Sequence, residues 1–496
     1  MVDLNNILRV YFIGIGGIGM SAIARYFNAK EVSVSGYDKT TTSLTQQMES
    51  EGINIHYEDS IHLLDKEAQM VVYTPAIPKD HRELNYYQQK NYPLLKRSDV
   101  LEQITNSSFN ISVAGTHGKT TISAMIAHIL RDSGYGCTAF LGGIAVNYDT
   151  NFWSSDNNVC IVEADEYDRS FLKLKSDIAV ISAMDADHLD IYGTEEVMQQ
   201  AFIDFSANIK PNGLLLSKFG LPKSISLKVA NHIHYSLQNN NADAYGANIR
   251  MLNGGYEFDV LMKDWMLDNV ELNMGGMHNV ENAVAAIIIA HQLGIENNKI
   301  KEAIKNFKGV KRRFEYVLTP SRIKSKLREA ISSFEGKAEI QFPASSVRKG
   351  KDESEVIFID DYAHHPEELK ALIRGAKSLF SGKKCTIVFQ PHLYSRTRDL
   401  AKEFAESLDM ADEVILLPIY PARELPIEGV SSELILIKMN NENVQLLTKE
   451  ELLEWTQKHS SFEQNGIELL ITAGAGDIDQ LIQPLKNILN KKNKLI

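Results

Sequence analysis

The nine residues V-A-G-T-H-G-K-T-T at positions 113–121 concentrate groups that handle a phosphate. An apolar run at 109–113 precedes them and a helical run at 121–130 follows. Strand, glycine-rich loop and helix is the order that points backbone N–H groups and a helix N-terminus at an anion. Gly115 and Gly118 carry no side chain, so the backbone can come close to the ligand. Lys119 can reach β- and γ-phosphate oxygens, and the Thr120 hydroxyl can take a Mg²⁺. Thr116, His117 and Thr121 fall in the same loop. The spacing G-x-x-G-K-T is shorter than the usual G-x-x-x-x-G-K-[ST] and matches that pattern in its second half.

A second glycine-rich loop lies near the start of the chain. An apolar strand at 10–15 runs into G-I-G-G-I-G at 14–19, and a helix follows from Met20 to about Phe27. The next strand, 32–36, ends at Asp38. Gly14, Gly16 and Gly19 with an acid about 20 residues on form the dinucleotide fingerprint. The physics demands a pyrophosphate at a helix N-terminus and a sugar hydroxyl near Asp38. NAD and a UDP-sugar both meet that demand, so an oxidoreductase and a nucleotide-sugar enzyme are both open here. Gly17, Ile18, Met20 and Ser21 belong to the same turn. The strand at 70–73 ends in Thr74-Pro75-Ala76, at the edge of the same site.

Carboxylates gather after two further strands. The strand at 158–162 ends in Glu163-Ala164-Asp165-Glu166, and that at 178–182 leads to Asp185, Asp187, His188 and Asp190. Open α/β sheets bind ligands at the carboxyl ends of their strands. Mg²⁺ favours one or two carboxylates with phosphate oxygens and water. Gly142-Gly143 reads as a turn. Asn279 and Asn282 lie three apart at the start of a helix over 280–293, on one face; Asn279 alone would serve as its cap. Arg313 stands in a basic cluster at 310–315. A strand at 356–359 leads to D-D-Y-A-H-H-P, and one at 385–389 leads to a loop carrying His392, Arg396 and Arg398.

A chain of 496 residues suggests about three domains to hold these groups. The strand–helix alternation indicates an α/β chain. A Rossmann-like domain is expected over 1–107, a central P-loop-like domain with a parallel or mixed sheet over 108–311, and a second Rossmann-like domain over 312–496. Residues 319–355, rich in charge and Ser, read as a mobile insertion between two strands that a hairpin turn could join. The net charge of −12 argues against a nucleic-acid partner. Three scattered cysteines (Cys137, Cys160, Cys385) fit a reducing cytoplasm, and no apolar run is long enough to cross a bilayer. Oligomeric state is not legible: monomer and homodimer are equally open.

In these segments the chain resembles the Mur ligases. The resemblance covers nearly its whole length and preserves the order of G-I-G-G-I-G-M-S, G-T-H-G-K-T-T, E-A-D-E, D-H-L-D, M-H-N-V-E-N and R-R-F-E with D-D-Y-A-H-H-P. The segments F-Q-P-H-L-Y-S-R-T and Y-P-A-R-E-L-P-I are similar to the alanine-adding branch. A recycling branch that attaches a tripeptide shares most motifs and is the nearest competitor. The resemblance implies ATP and Mg²⁺ as cofactors, and ligation of L-alanine to the carboxylate of UDP-N-acetylmuramate through an acyl phosphate. It implies magnesium at Thr120, Glu163 and His188, adenine at Asn279 and Asn282, and ribose at Asp361. It implies the amino acid at Tyr362, His364, His392 and Arg396, with Lys119 and Arg313 neutralising the transferring phosphoryl group. Two departures stand out. Leu393 replaces an arginine that some members carry, and 193–209 holds no lysine where other branches carry a carbamylated one.

Overall fold

The computed structural model describes residues 4–167, 169–185, 189–227, 229–252, 254–318, 356–422, 424–459 and 466–492. Three sheets organise them, and their central strands, such as 10–13, 111–114, 178–181 and 385–389, are buried along their length, as parallel strands covered on both faces are. The first contains β1 (Arg9–Ile13), β2 (Ser33–Tyr37), β3 (Asn54–His56), β4 (Met70–Tyr73) and β5 (Leu94–Lys96), in the order β3-β2-β1-β4-β5. All its pairings are parallel. The order reverses between β1 and β4, so the loops leaving those two strands flank the crevice where such sheets take ligands. Those loops are 14–17 and 74–81, the second opening with Thr74-Pro75-Ala76.

The second sheet has ten strands. They are β6 (Phe109–Ala114), β7 (Thr138–Ala145), β8 (Thr150–Trp153), β9 (Val159–Glu163), β10 (Ile178–Ile181), β11 (Leu214–Lys218), β12 (Asn231–Ser236), β13 (Ala244–Leu252), β14 (Gly255–Met262) and β15 (Trp265–Leu272). Their order is β15-β14-β13-β12-β11-β10-β6-β9-β7-β8. Strand β6 lies between β10 and β9, parallel to both, so the phosphate loop leaves the sheet between the two acid-bearing loops. The expected turn at Gly142-Gly143 is not one: both glycines lie inside β7. A Cβ on Gly142 would overlap the Glu163 carboxylate, so this glycine is needed for close approach.

The third sheet is β16 (Glu315–Leu318), β17 (Ile357–Asp361), β18 (Cys385–Phe389), β19 (Glu413–Leu416), β20 (Val444–Leu446) and β21 (Leu469–Ala473), ordered β16-β17-β21-β18-β19-β20. Strands β16 and β17 are antiparallel, with Glu315 opposite Asp360 and Leu318 opposite Phe358. They are the two strands expected to flank the insertion, and 319–355 itself lies outside the described residues. The other pairings are parallel.

The chain forms two compact bodies: 1–249, 258–272 and 278–310 in one, and 250–257, 273–277 and 311–496 in the other. Within the first body, the helix Ile18–Ala29 packs on β7 and β8, with the Tyr26 ring 5.5 Å from Phe140 and 6.3 Å from Phe152. One apolar cluster runs from Val10, Phe12 and Phe27 through Phe140 and Phe152 to Phe202 and Phe205. No described helix is long and apolar enough to cross a membrane.

Candidate functional site

The phosphate loop takes the expected form. Gly118, at φ +84°, caps the helix Lys119–Asp132 in a left-handed conformation that favours glycine. Lys119 is held from two sides: its Nζ donates to the Gly115 carbonyl at 2.8 Å and to Glu166 Oε1 at 2.7 Å. Glu166 is fully buried. Burial raises its carboxyl's pKa and the Lys119 ammonium opposes the rise. The Thr120 hydroxyl donates to Glu163 Oε1 at 3.0 Å, and the Gly142 N–H donates to Glu163 Oε2 at 3.0 Å. Ser182, at the end of β10, donates to the carbonyls of Ala114 and His117 and ties the loop to the sheet. The Asp185 N–H donates to Thr116 Oγ1 at 3.2 Å.

Asn279 and Asn282 are buried side by side, with Asn282 Nδ2 donating to Asn279 Oδ1 at 3.2 Å. A Cβ on Gly118 would stand 2.8 Å from Asn282 Oδ1, so the pair backs directly onto the phosphate loop. The helix begins at Met277, so Asn279 lies within its first turn and is not its cap. Two of the three expected magnesium positions, Thr120 and Glu163, therefore meet. His188 and Asp187 lie outside the described residues. Among the described residues no group of three or more His, Cys, Asp or Glu is placed to hold a metal. The hydroxyl and carboxylate of Thr120 and Glu163 are hard oxygen donors at a phosphate-loop helix, which suits Mg²⁺ completed by phosphate oxygens and water.

At the first glycine-rich loop, Gly14 takes φ +84° and Gly17 precedes the helix. Asp38 faces back onto the loop: the Gly16 N–H donates to its Oδ2 at 2.7 Å and the Thr40 N–H to its Oδ1 at 3.1 Å. Thr74 packs across from Gly14, where a Cβ would stand 2.9 Å from its Cγ2, so the 14–19 and 74–76 turns meet as expected. Ser21 and the carbonyl of Ile18 both accept from Asn151 Nδ2, at 3.0 and 2.6 Å.

The second body assembles its own cluster at the carboxyl ends of β17 and β18. Asp361 Oδ2 accepts the Phe314 N–H and Oδ1 the Ala363 N–H, both at 2.7 Å. Burial pushes its carboxyl up, against the pull of the Arg313 guanidinium. Arg312 and Arg313 both lie over one ring, 5.1 and 5.3 Å from the Tyr362 centroid. The neighbouring Asp360 is fully buried and its carboxyl is pushed up to about 7 by desolvation. Tyr362 and His364 meet edge to face at 5.3 Å, and His364 and His392 rings stand 6.0 Å apart. His364 Nδ1 donates to the Tyr362 carbonyl at 3.0 Å, and burial pushes the ring down to about 4. The imidazole is therefore neutral near pH 7, and Nε2 carries its lone pair. Arg396 does not sit in a loop; it lies on the short helix Tyr394–Asp399, four residues from His392, with Nη1 and His392 Nδ1 3.3 Å apart. Arg398 instead pairs with Asp399 at 2.7 Å on the surface. Leu393 caps that helix at φ +71°.

The residue pattern alone missed several supporting groups. Glu166 closes the E-A-D-E segment, yet its pairing with Lys119 needed the β6–β9 register. Glu368, whose Oε2 accepts the N–H groups of His364 and His365 at 2.9 and 3.1 Å, carries only the signal of an acid in a first helical turn. Tyr420, stacked on His392 at 5.8 Å, comes from a different strand's loop.

Three α/β sheets, a lysine-bearing phosphate loop and a second glycine-rich loop define a multidomain nucleotide-binding enzyme. Family models match in order along the chain: the Mur ligase family catalytic domain over 9–109, the Mur ligase middle domain over 113–290, and the Mur ligase glutamate ligase domain over 347–476. This chain belongs to the Mur ligase family. It is 41% identical over 503 residues to a UDP-N-acetylmuramate–L-alanine ligase of Cytophaga hutchinsonii, covering 99% of each chain. A ligase of the same name from Flavobacterium johnsoniae is 42% identical, with 99% of this chain and 100% of the other covered. The crystal structure of the UDP-N-acetylmuramate–alanine ligase MurC of Thermotoga maritima superposes with a TM-score of 0.76 at 25% identity, over 98% and 100% of the two chains. A murein peptide ligase from Psychrobacter arcticus shares the fold, with a TM-score of 0.64 at 21% identity, over 97% and 98%. The oxidoreductase reading of the first loop falls with this membership.

Proposed function

We propose that this chain joins L-alanine to the carboxylate of UDP-N-acetylmuramate with ATP, giving ADP and phosphate, in peptidoglycan precursor synthesis. The observation that carries the reading is the meeting of Tyr362, His364, His392 and Arg396, on the body whose strand ends also present Asp361. The sugar carboxylate attacks the γ-phosphoryl group, the γ–β bridging bond breaks, and an acyl phosphate forms. The alanine amine then attacks the acyl carbon and phosphate leaves. Phosphoryl transfer needs positioning and charge neutralisation more than a covalent nucleophile. Lys119, fixed between Gly115 and Glu166, supplies a placed positive charge. Bound at Thr120 and Glu163, with His188 as the expected third ligand, Mg²⁺ would neutralise the phosphate oxygens. Arg313 adds a second cation beside Asp361, and Asn279 and Asn282 are assigned to adenine. Arg396 suits an amino-acid carboxylate, and the His364 Nε2 lone pair suits the amine.

The full-length identity to alanine ligases favours alanine over the tripeptide of the recycling branch, whose structural likeness at 21% speaks for fold alone. Phosphate release measured with UDP-N-acetylmuramate, ATP and each amino acid in turn tests the reading. Turnover is expected with L-alanine. Turnover with the tripeptide and none with alanine would assign the chain to the recycling reaction.

A further inference from the structure

We propose that Arg97 pairs with the diphosphate of the nucleotide sugar and that Asp165 is the positioning residue that holds it there; this rests on the nucleotide-sugar reading above. Arg97 opens the helix Arg97–Asn106, directly after β5. A cation in a first helical turn sits at the positive end of the helix dipole, where it costs stability. Among the described residues it makes one ion pair, Nη2 to Asp165 Oδ2 at 3.4 Å, a long contact with a quarter of the side chain (25%) still exposed. An arginine placed at the unfavourable end of its own helix and weakly paired is better explained by what its guanidinium reaches. It reaches Gly19. A Cβ at that position would stand 3.2 Å from Arg97 Cδ and overlap the guanidinium itself.

Gly19 is the second residue of the helix Ile18–Ala29, whose N-terminal turn is the pyrophosphate seat of this kind of loop. The third glycine of the fingerprint is usually read as room for helix–strand packing. Here it makes room for a guanidinium. That group has five N–H donors in a planar fork. Asp165 takes one, and the fork matches two phosphate oxygens. Asp165 stands between Glu163, which faces Thr120, and Glu166, which faces Lys119. The Arg97–Asp165 pair thus ties the rim of the first loop to the rim of the phosphate loop within one compact body.

Calorimetric titration of the full chain with UDP-N-acetylmuramate, UDP and uridine, without ATP, tests the assignment. Arg97→Ala should weaken UDP-N-acetylmuramate and UDP by about tenfold or more, the factor that a lost charge-assisted hydrogen bond implies, and leave uridine unchanged. Arg97→Lys should recover part of the loss. Asp165→Asn should weaken the same two ligands to a smaller degree, with an unchanged melting temperature. UDP bound equally by wild type and Arg97→Ala would overturn the proposal. So would an equal loss for uridine, which marks a structural role. A wild-type chain that binds neither UDP nor UDP-N-acetylmuramate would overturn the nucleotide-sugar reading as well.

Discussion

Arg396 and His364 show how much one residue's surroundings decide. Arginine can grip a carboxylate through two parallel N–H···O bonds, whereas lysine is a point charge. Arg396→Lys should therefore raise the KM for L-alanine far more than that for ATP, by about 1.5–3 kcal/mol of lost binding. Leu393 beside it supplies no second charge, and Arg398 is engaged with Asp399. An unchanged alanine KM with a slightly lower melting temperature would reduce Arg396 to a surface ion-pairing residue. His364 carries a pH signature with a definite sign. Its folded pKa is lowered to about 4 from an ordinary 6.5, chiefly by desolvation. The unfolded chain therefore binds more protons between those values, and stability present above pH 6.5 is lost as pH falls towards 4. His364→Asn should lose less melting temperature between pH 7 and 4.5 than wild type. Parallel pH curves for the two proteins would place the acid sensitivity elsewhere, for instance on the other histidines that burial depresses.

Elements explain which parts of the site could be read from sequence. Strand–loop–helix order and the apolar runs of β1, β6, β9 and β10 made both glycine-rich loops legible, because those signals are local. Thr120 and Glu163 could be grouped because one sits in a phosphate loop and the other at a strand end, but the β6–β9 pairing is what brings their side chains together. Gly142-Gly143 was misread: a glycine pair looks the same whether it turns a chain or clears space, and only the β7–β9 pairing distinguishes the two. The helix carrying Arg396 was missed because Leu393 at φ +71° gives no sequence sign of a helix start. Arg97 did leave a sign, a cation at the start of a helix, but its partner lies 68 residues away. The pairing of β16 with β17 bears on the segment between them. Their antiparallel pairing sets Leu318 against Phe358, with a register shift between Tyr316 and Leu318, so a short hairpin turn can join them. Deleting most of 319–355 and joining the flanks by such a turn should keep alanine-dependent phosphate release within a few-fold of wild type. A soluble, cooperatively melting deletion with no turnover would make that segment part of the reaction.

On the scale of the molecule, the first sheet and the ten-stranded sheet share one apolar cluster, and a buried polar link fixes how they meet. Arg25, on the helix that carries the first glycine-rich loop, is 4% exposed. Its Nε and Nη2 both donate to Glu51 at 2.7 Å, and its Nη1 donates to Asn151 Oδ1 at 2.7 Å. Asn151 is fully buried on β8 and returns two bonds, to the Ile18 carbonyl and Ser21 Oγ. One amide of the central sheet thus holds both the body and the first turn of the helix that presents the nucleotide-sugar loop. Asn151→Ala removes the acceptor of a buried guanidinium N–H, and a buried group left unsatisfied costs about 1–3 kcal/mol, more when it is charged. The same change loosens the 18–21 turn without touching the phosphate loop at 115–121. The expected result is a lower melting temperature together with a raised KM for UDP-N-acetylmuramate and a nearly unchanged KM for ATP. Because the apolar cluster is continuous across both sheets, calorimetry should still show them melting in a single transition. If Asn151→Ala instead split that transition in two while leaving both KM values as in wild type, the link would matter for docking the two sheets and not for shaping the loop.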